Sequence, residues 1–75
     1  MKALSQMEKG HIGRILKVRG KPELHRRLLR AGLAVGVVIE RCVETSLSDL
    51  VEIIANHSRI LLDQQATDYI YVDPE

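Results

Sequence analysis

The stretch that most limits what this chain can become is a short basic segment that runs into a helix-stop signal and then a strand-start signal. It reads Pro22-Glu23-Leu24-His25-Arg26-Arg27-Leu28-Leu29-Arg30-Ala31-Gly32-Leu33, then Gly36 and the β-branched run Val37-Val38-Ile39. Gly32 falls one turn past Leu28 and Leu29, where helices commonly end in a left-handed residue that only glycine adopts without strain. Pro22 suits the first helical position, where its missing donor is not needed. Leu24, Leu28 and Ala31 share one helical face, with Leu29 and Leu33 beside them. About three turns of helix are marginal alone in water, so this one must dock on a sheet through its leucines. His25, Arg26 and Arg30 are then expected to face outward.

The flanking segments read as strands. Polar and apolar residues nearly alternate from Arg14 to Arg19, and β-branched residues dominate the apolar set. Residues 37–44 form a second strand, with Val38, Glu40, Cys42 and Glu44 on one face and Val37, Ile39, Arg41 and Val43 on the other. Residues 45–49 are a loop by composition. Residues 50–55 and 58–62 are two further strands joined at Asn56-His57, where asparagine tolerates the positive φ of a two-residue hairpin. Residues 63–68 read as a single helical turn and 69–72 as a closing strand, with 73–75 as a frayed tail. About five strands and one short helix predict a small, partly open barrel, mainly β. Its expected core is Leu24, Leu28, Val37, Ile39, Val51, Ile53, Ile70 and Val72.

The chain has 75 residues, enough for one small domain, expected over residues 1–75. Its single cysteine, Cys42, cannot form an internal disulfide, and no Cys/His pair has zinc-finger spacing. Stability must come from dense aliphatic packing, in a chain with no Phe or Trp. No apolar run approaches the roughly 18–20 residues of a membrane span, and residues 1–9 lack the apolar stretch of a signal peptide. With a lone thiol as well, a cytoplasmic location without membrane insertion is expected. Residues 1–30 carry nine Lys/Arg against two acids, whereas residues 31–75 carry two against eight. The halves either form opposite poles that steer partners or other copies, or interleave in the fold and cancel.

Several stretches together point to a family. They are Leu4 to Gly10 followed by Ile15, then Arg27-Leu28-Leu29-Arg30-Ala31-Gly32-Leu33, then Gly36 and Ile39. Further on stand Leu50 to Ala55, Ile60-Leu61-Leu62, Ala66 and Ile70-Tyr71-Val72. In this order the chain resembles, over nearly its whole length, the FeoA family of small cytoplasmic proteins tied to bacterial ferrous iron transport. It departs from the family pattern at Asp49-Leu50, where Asp-Pro is usual, and at Leu61-Leu62-Asp63-Gln64-Gln65, where Leu-Arg before acidic residues is usual. The resemblance implies an SH3-like barrel. It also implies a non-enzymatic role beside the membrane ferrous iron transporter, whose cytosolic GTP-binding domain is the expected partner. The same fold occurs as the C-terminal domain of metal-dependent repressors.

The candidate contact residues are His25, Arg26 and Arg30. Arginines on a short helix make bidentate contacts to carboxylates or phosphates. No metal, cofactor or catalytic site is expected. His11, His25 and His57 sit on separate elements with no second ligand at i+3 or i+4. Cys42, beside Glu40 and Glu44, lacks a positioned base, and carboxylates disfavour its thiolate. Asp63 and Asp68 lack the cleft that acid/base work needs, and Gly10-x-x-Gly13 lacks a P-loop ending. Two rival functions stay open, nucleic-acid binding and self-assembly into a homo-oligomer. Against the first, Tyr69 and Tyr71, the only aromatics, lie in an acidic segment away from the basic one. For the second, the two tyrosines are expected to share an outward face of the closing strand, and an open barrel leaves an edge.

Overall fold

The computed structural model describes residues 1–43 and 49–74. Its strands are β1 (Lys2–Ala3), β2 (Ile12–Val18), β3 (Val38–Arg41), β4 (Leu50–Ala55), β5 (Ser58–Asp63) and β6 (Ile70–Pro74). Helix α1 (Pro22–Arg30) follows β2, the single turn α2 (Gln64–Thr67) follows β5, and a 3-10 turn (Leu4–Gln6) follows β1. The strands form one antiparallel sheet in the order β1-β6-β2-β3-β4-β5. This is the mainly β architecture expected of a small SH3-like fold, with six strands among the described residues rather than about five. The expected loop at 45–49 lies outside the described residues except for Asp49, as does Glu44 at the end of the expected second strand.

Alternation along the strands puts one row of aliphatic side chains inside. Val51, Ile53 and Ala55 on β4 meet Ile15, Ile39, Ile70 and Val72 in a single buried cluster. Of the expected core, Leu24 and Val37 pack only partly, and the other six residues are buried. On β2 the alternation breaks at a bulge between Ile15 and Lys17. The extra residue, Leu16, stands out in solvent, and beyond it the pattern is reset: Ile15 pairs with Val72, Lys17 with Tyr71 and Val18 with Ile70. Asn56 and His57 both take positive φ, 52° and 66°, the geometry of a primed two-residue hairpin.

Both ends of the chain hold more structure than the sequence predicts. Leu4 and Met7 are fully buried in the core. Arg41 fixes this segment, its Nη1 donating to the carbonyls of Met7 at 2.6 Å and Ser5 at 3.2 Å. Gly13 leaves the room Met7 needs, since a Cβ there would sit 3.1 Å from the Met7 sulfur. At the other end Asp73 and Pro74 are not a frayed tail but continue β6, opposite Arg14 and Gly13. The reason is partner supply: β2 extends far enough to offer them a ladder. This pairing also interleaves the two charged halves, because acidic β6 lies between β1 and basic β2.

Candidate interaction surface

Helix α1 is built as its sequence predicts and attached more narrowly. Glu23 lies in its first turn and Arg27 and Arg30 in its last, each complementing the helix dipole. Its end is a Schellman closure: Leu33 N–H donates to the Leu28 carbonyl at 2.8 Å and Gly32 N–H to Leu29 at 3.0 Å, with Gly32 at φ 89°. That closure swings Leu33 into the core beside Leu28. Leu28 is the one helix residue that is fully buried, while Leu29 stays 60% exposed.

Arg26 and Arg30 lie one turn apart on the solvent side, both exposed. Among the described residues neither meets a carboxylate. His25 does not face outward with them. It is half-buried, and its Nε2 is shielded from solvent without a hydrogen-bond partner among the described residues. The reason is helical geometry: His25 falls on the same side as Leu28 and Leu29, about 100° round the helix from Arg26. Arg27 points the other way, 3.9 Å from Asp63 and beside Leu24 and Tyr69.

Between α1 and residues 33–35 runs a groove of about 160 Å³, with Val18 at its base and His25, Leu28, Leu29, Leu33 and Val35 along its sides. Val35 on its rim is 65% exposed. Behind that rim Arg14 Nη1 donates to the Gly36 carbonyl at 2.9 Å. Sequence reasoning missed this groove because it counted Leu29 among the leucines that dock the helix. The available signal was the width of the apolar set, since Leu29 and Leu28 cannot both point at one sheet.

A second polar cluster lies on the outer face of the sheet. Glu52 is buried and paired with the exposed Arg59 guanidinium. Burial, and next the neighbouring Glu52 carboxylate, push the Cys42 thiol above its ordinary range, while Arg59 opposes them. The sequence reading anticipated the direction but named Glu40 and Glu44; Glu40 is a minor contributor and Glu52 the main acidic neighbour. Glu52 sits on the adjacent strand, where its backbone carbonyl accepts from Cys42 N–H at 2.9 Å. Among the described residues no group of three or more His, Cys, Asp or Glu side chains gathers as a metal site. The His11 side chain pairs with Glu8, at 3.4 Å on the surface.

Tyr71 pairs with Lys17, and the Arg19 guanidinium carbon lies 5.3 Å from its ring centroid. The sheet thus brings this tyrosine into the basic segment, against the sequence expectation, and a cation occupies one face of the ring. Tyr69 lies apart from it, packed near Gly20 and Leu24. No helix among the described residues is long and apolar enough to cross a membrane.

The family model of the FeoA domain matches residues 2–74. The chain belongs to the FeoA domain family. A solved FeoA, an iron uptake regulatory protein, superposes with a TM-score of 0.87 at 19% identity, over 99% of this chain and 96% of the other. Iron(II) transport protein A from Clostridium thermocellum is 28% identical, with a TM-score of 0.84, over 95% of this chain and 44% of its own. A manganese-dependent transcriptional repressor in complex with manganese shares the fold at a TM-score of 0.89 and 13% identity, this chain spanning 36% of it. No curated protein sequence matches this FeoA-family chain at a significant level.

Proposed function

We propose that this FeoA-family chain is a non-enzymatic, cytoplasmic accessory protein of bacterial ferrous iron transport. It acts by binding the cytosolic GTP-binding part of the membrane iron transporter. The observation that carries the reading is the FeoA domain match over residues 2–74. The 28% identity to an iron(II) transport protein A adds to it. Arg26, Arg30 and His25 are the proposed contact residues. The two arginines are exposed and free of carboxylates among the described residues, so they offer bidentate donors to an acidic partner with no internal pair to break. His25 contributes from the groove side rather than from the outer surface. A binding role also accords with the Cys42 thiol, which burial and Glu52 hold in its protonated, poorly nucleophilic form.

The test is capture of the detergent-solubilised ferrous iron transporter by the wild-type chain and by the Arg26→Glu/Arg30→Glu double variant. Saturable capture by the wild type that falls at least about tenfold in the variant supports the role and its site, since reversing two charges turns attraction into repulsion. Equal capture by both keeps the role and moves the contact elsewhere. No capture in any nucleotide state removes the role.

A further inference from the structure

The groove beside α1 has features that specify its occupant beyond the two arginines. Its volume of about 160 Å³ is well below the roughly 300–1,000 Å³ of pockets that enclose small organic ligands. A cavity of about 150 Å³ holds one benzene-sized group. The space therefore fits a single branched or ring-bearing apolar side chain. Its walls are Leu28, Leu29, Leu33 and Val35, and the two most exposed of these, Leu29 and Val35, stand on opposite rims.

The surroundings set the charge of whatever carries that side chain. Arg26 follows Leu29 round the helix by about 60°, and Arg30 stands one turn beyond it. On the opposite side Arg14 reaches the Gly36 carbonyl, one residue past Val35. The cations open to a partner thus stand on the helix side of the apolar slot. Glu23, the one acid on α1, lies on the same side of the helix as these arginines, about 60° from Arg26 and about 20° from Arg30, so that side carries two cations against one acid and stays net positive. Inside, the shielded His25 Nε2 has no partner among the described residues, and burying a polar atom unpaired carries a cost that an incoming polar group relieves.

We propose that this groove is a docking slot for an acidic protein segment that inserts one aliphatic side chain, Leu or Ile, between Leu29 and Val35. Flanking carboxylates of the segment pair with Arg26 and Arg30, and a backbone or side-chain polar atom next to the inserted residue reaches His25. The proposal rests on the reading of the chain as a binding module and names the chemistry of the partner. The hydrophobic anchor supplies affinity and the carboxylates supply orientation and rate.

The experiment is a methyl and amide NMR titration of the full chain with three synthetic hexapeptides. They are Glu-Glu-Leu-Ile-Glu-Glu, the charge-reversed Lys-Lys-Leu-Ile-Lys-Lys, and Glu-Glu-Ala-Ala-Glu-Glu. The acidic aliphatic peptide is expected to shift the Leu28, Leu29, Leu33 and Val35 methyls saturably, with the other two at least about tenfold weaker. Leu29→Asp and Val35→Asp, both at exposed positions that leave the core intact, are each expected to weaken it by about tenfold or more. Shifts by all three peptides alike, or shifts confined to other faces, overturn the proposal. So do groove shifts that grow with protein concentration before any peptide is added, which would assign the slot to a second copy. The same titration with the transporter's cytosolic domain separates the two levels. Binding that leaves the groove methyls unmoved overturns the slot while keeping the transporter role. Peptide binding without domain binding keeps the slot and removes that partner.

Discussion

The two sides of α1 differ in how far they are used. Toward the sheet, Leu28 and the Leu33 beyond the helix end are sealed into a core with Ile15, Ile53 and Val72. Toward solvent, Leu29 and Val35 stay more than half exposed and Arg26 and Arg30 face no carboxylate among the described residues. The same short helix thus carries a closed face that holds the domain together and an open face that adds little to folding. A residue's type does not say which face it serves: Leu28 and Leu29 are neighbours in sequence, yet the first is buried and the second is mostly in solvent. Core substitutions are therefore expected to lower stability, whereas open-face substitutions are expected to leave it nearly unchanged and, on the proposed function, to alter binding.

Ile53→Ala is the strongest way to break the closed side. Ile53 is fully buried on a central strand, so the truncation is expected to cost about 2–5 kcal/mol in a urea unfolding titration. A loss below about 1 kcal/mol would mean that the core collapses around the cavity and is less tightly built than described. Next comes Arg41→Ala. It deprives the carbonyls of Met7 and Ser5 of their shared donor and is expected to cost about 1–3 kcal/mol, with faster amide exchange at Met7. Unchanged exchange there would show the N-terminal turn held by Leu4 and Met7 packing alone.

A smaller effect concerns Cys42. Its thiol is raised by burial, so the folded chain keeps that proton more tightly than the unfolded chain does. Its contribution to stability is whole below pH 9.0, the ordinary thiol value, and shrinks as the pH climbs from there toward the folded value. Melting temperatures across that range should fall for the wild type and fall less steeply for Cys42→Ala. Parallel curves would assign the alkaline loss to other groups. The smallest expected change in stability is that of Leu29→Ala, within about 0.5 kcal/mol, because its side chain is mostly in solvent. A cost above about 1.5 kcal/mol would move Leu29 to the closed side and erase the difference between the two faces.

How much of this was legible in the sequence depends on how local each signal is. The helix end at Gly32 and the Asn56-His57 hairpin were read correctly because each depends on backbone angles that one or two residues set. The inward rows of β4 and β6 were legible for the same reason, through period-two alternation. The bulge at Leu16 was not, since it depends on which residue of β6 faces which residue of β2. The burial of Leu4 and Met7 was missed because a two-residue strand and one turn carry no periodicity. Arg41 did leave a trace: it was assigned to the face of Val37 and Ile39, and a cation on an inward face needs acceptors. Of the candidate site, Arg26 and Arg30 were placed correctly on the exposed side. His25 and the groove escaped, because the docking angle of α1 is set by Leu33 after the turn, not by the helix's own pattern.

The most direct test of the division between closed and open faces is hydrogen exchange of the full chain, alone and saturated with the transporter's cytosolic GTP-binding domain. The account predicts added protection in α1 and residues 33–35, with β3, β4 and β5 unchanged. Protection centred on the outer face around Glu40, Cys42 and Arg59, with α1 unaffected, would contradict it.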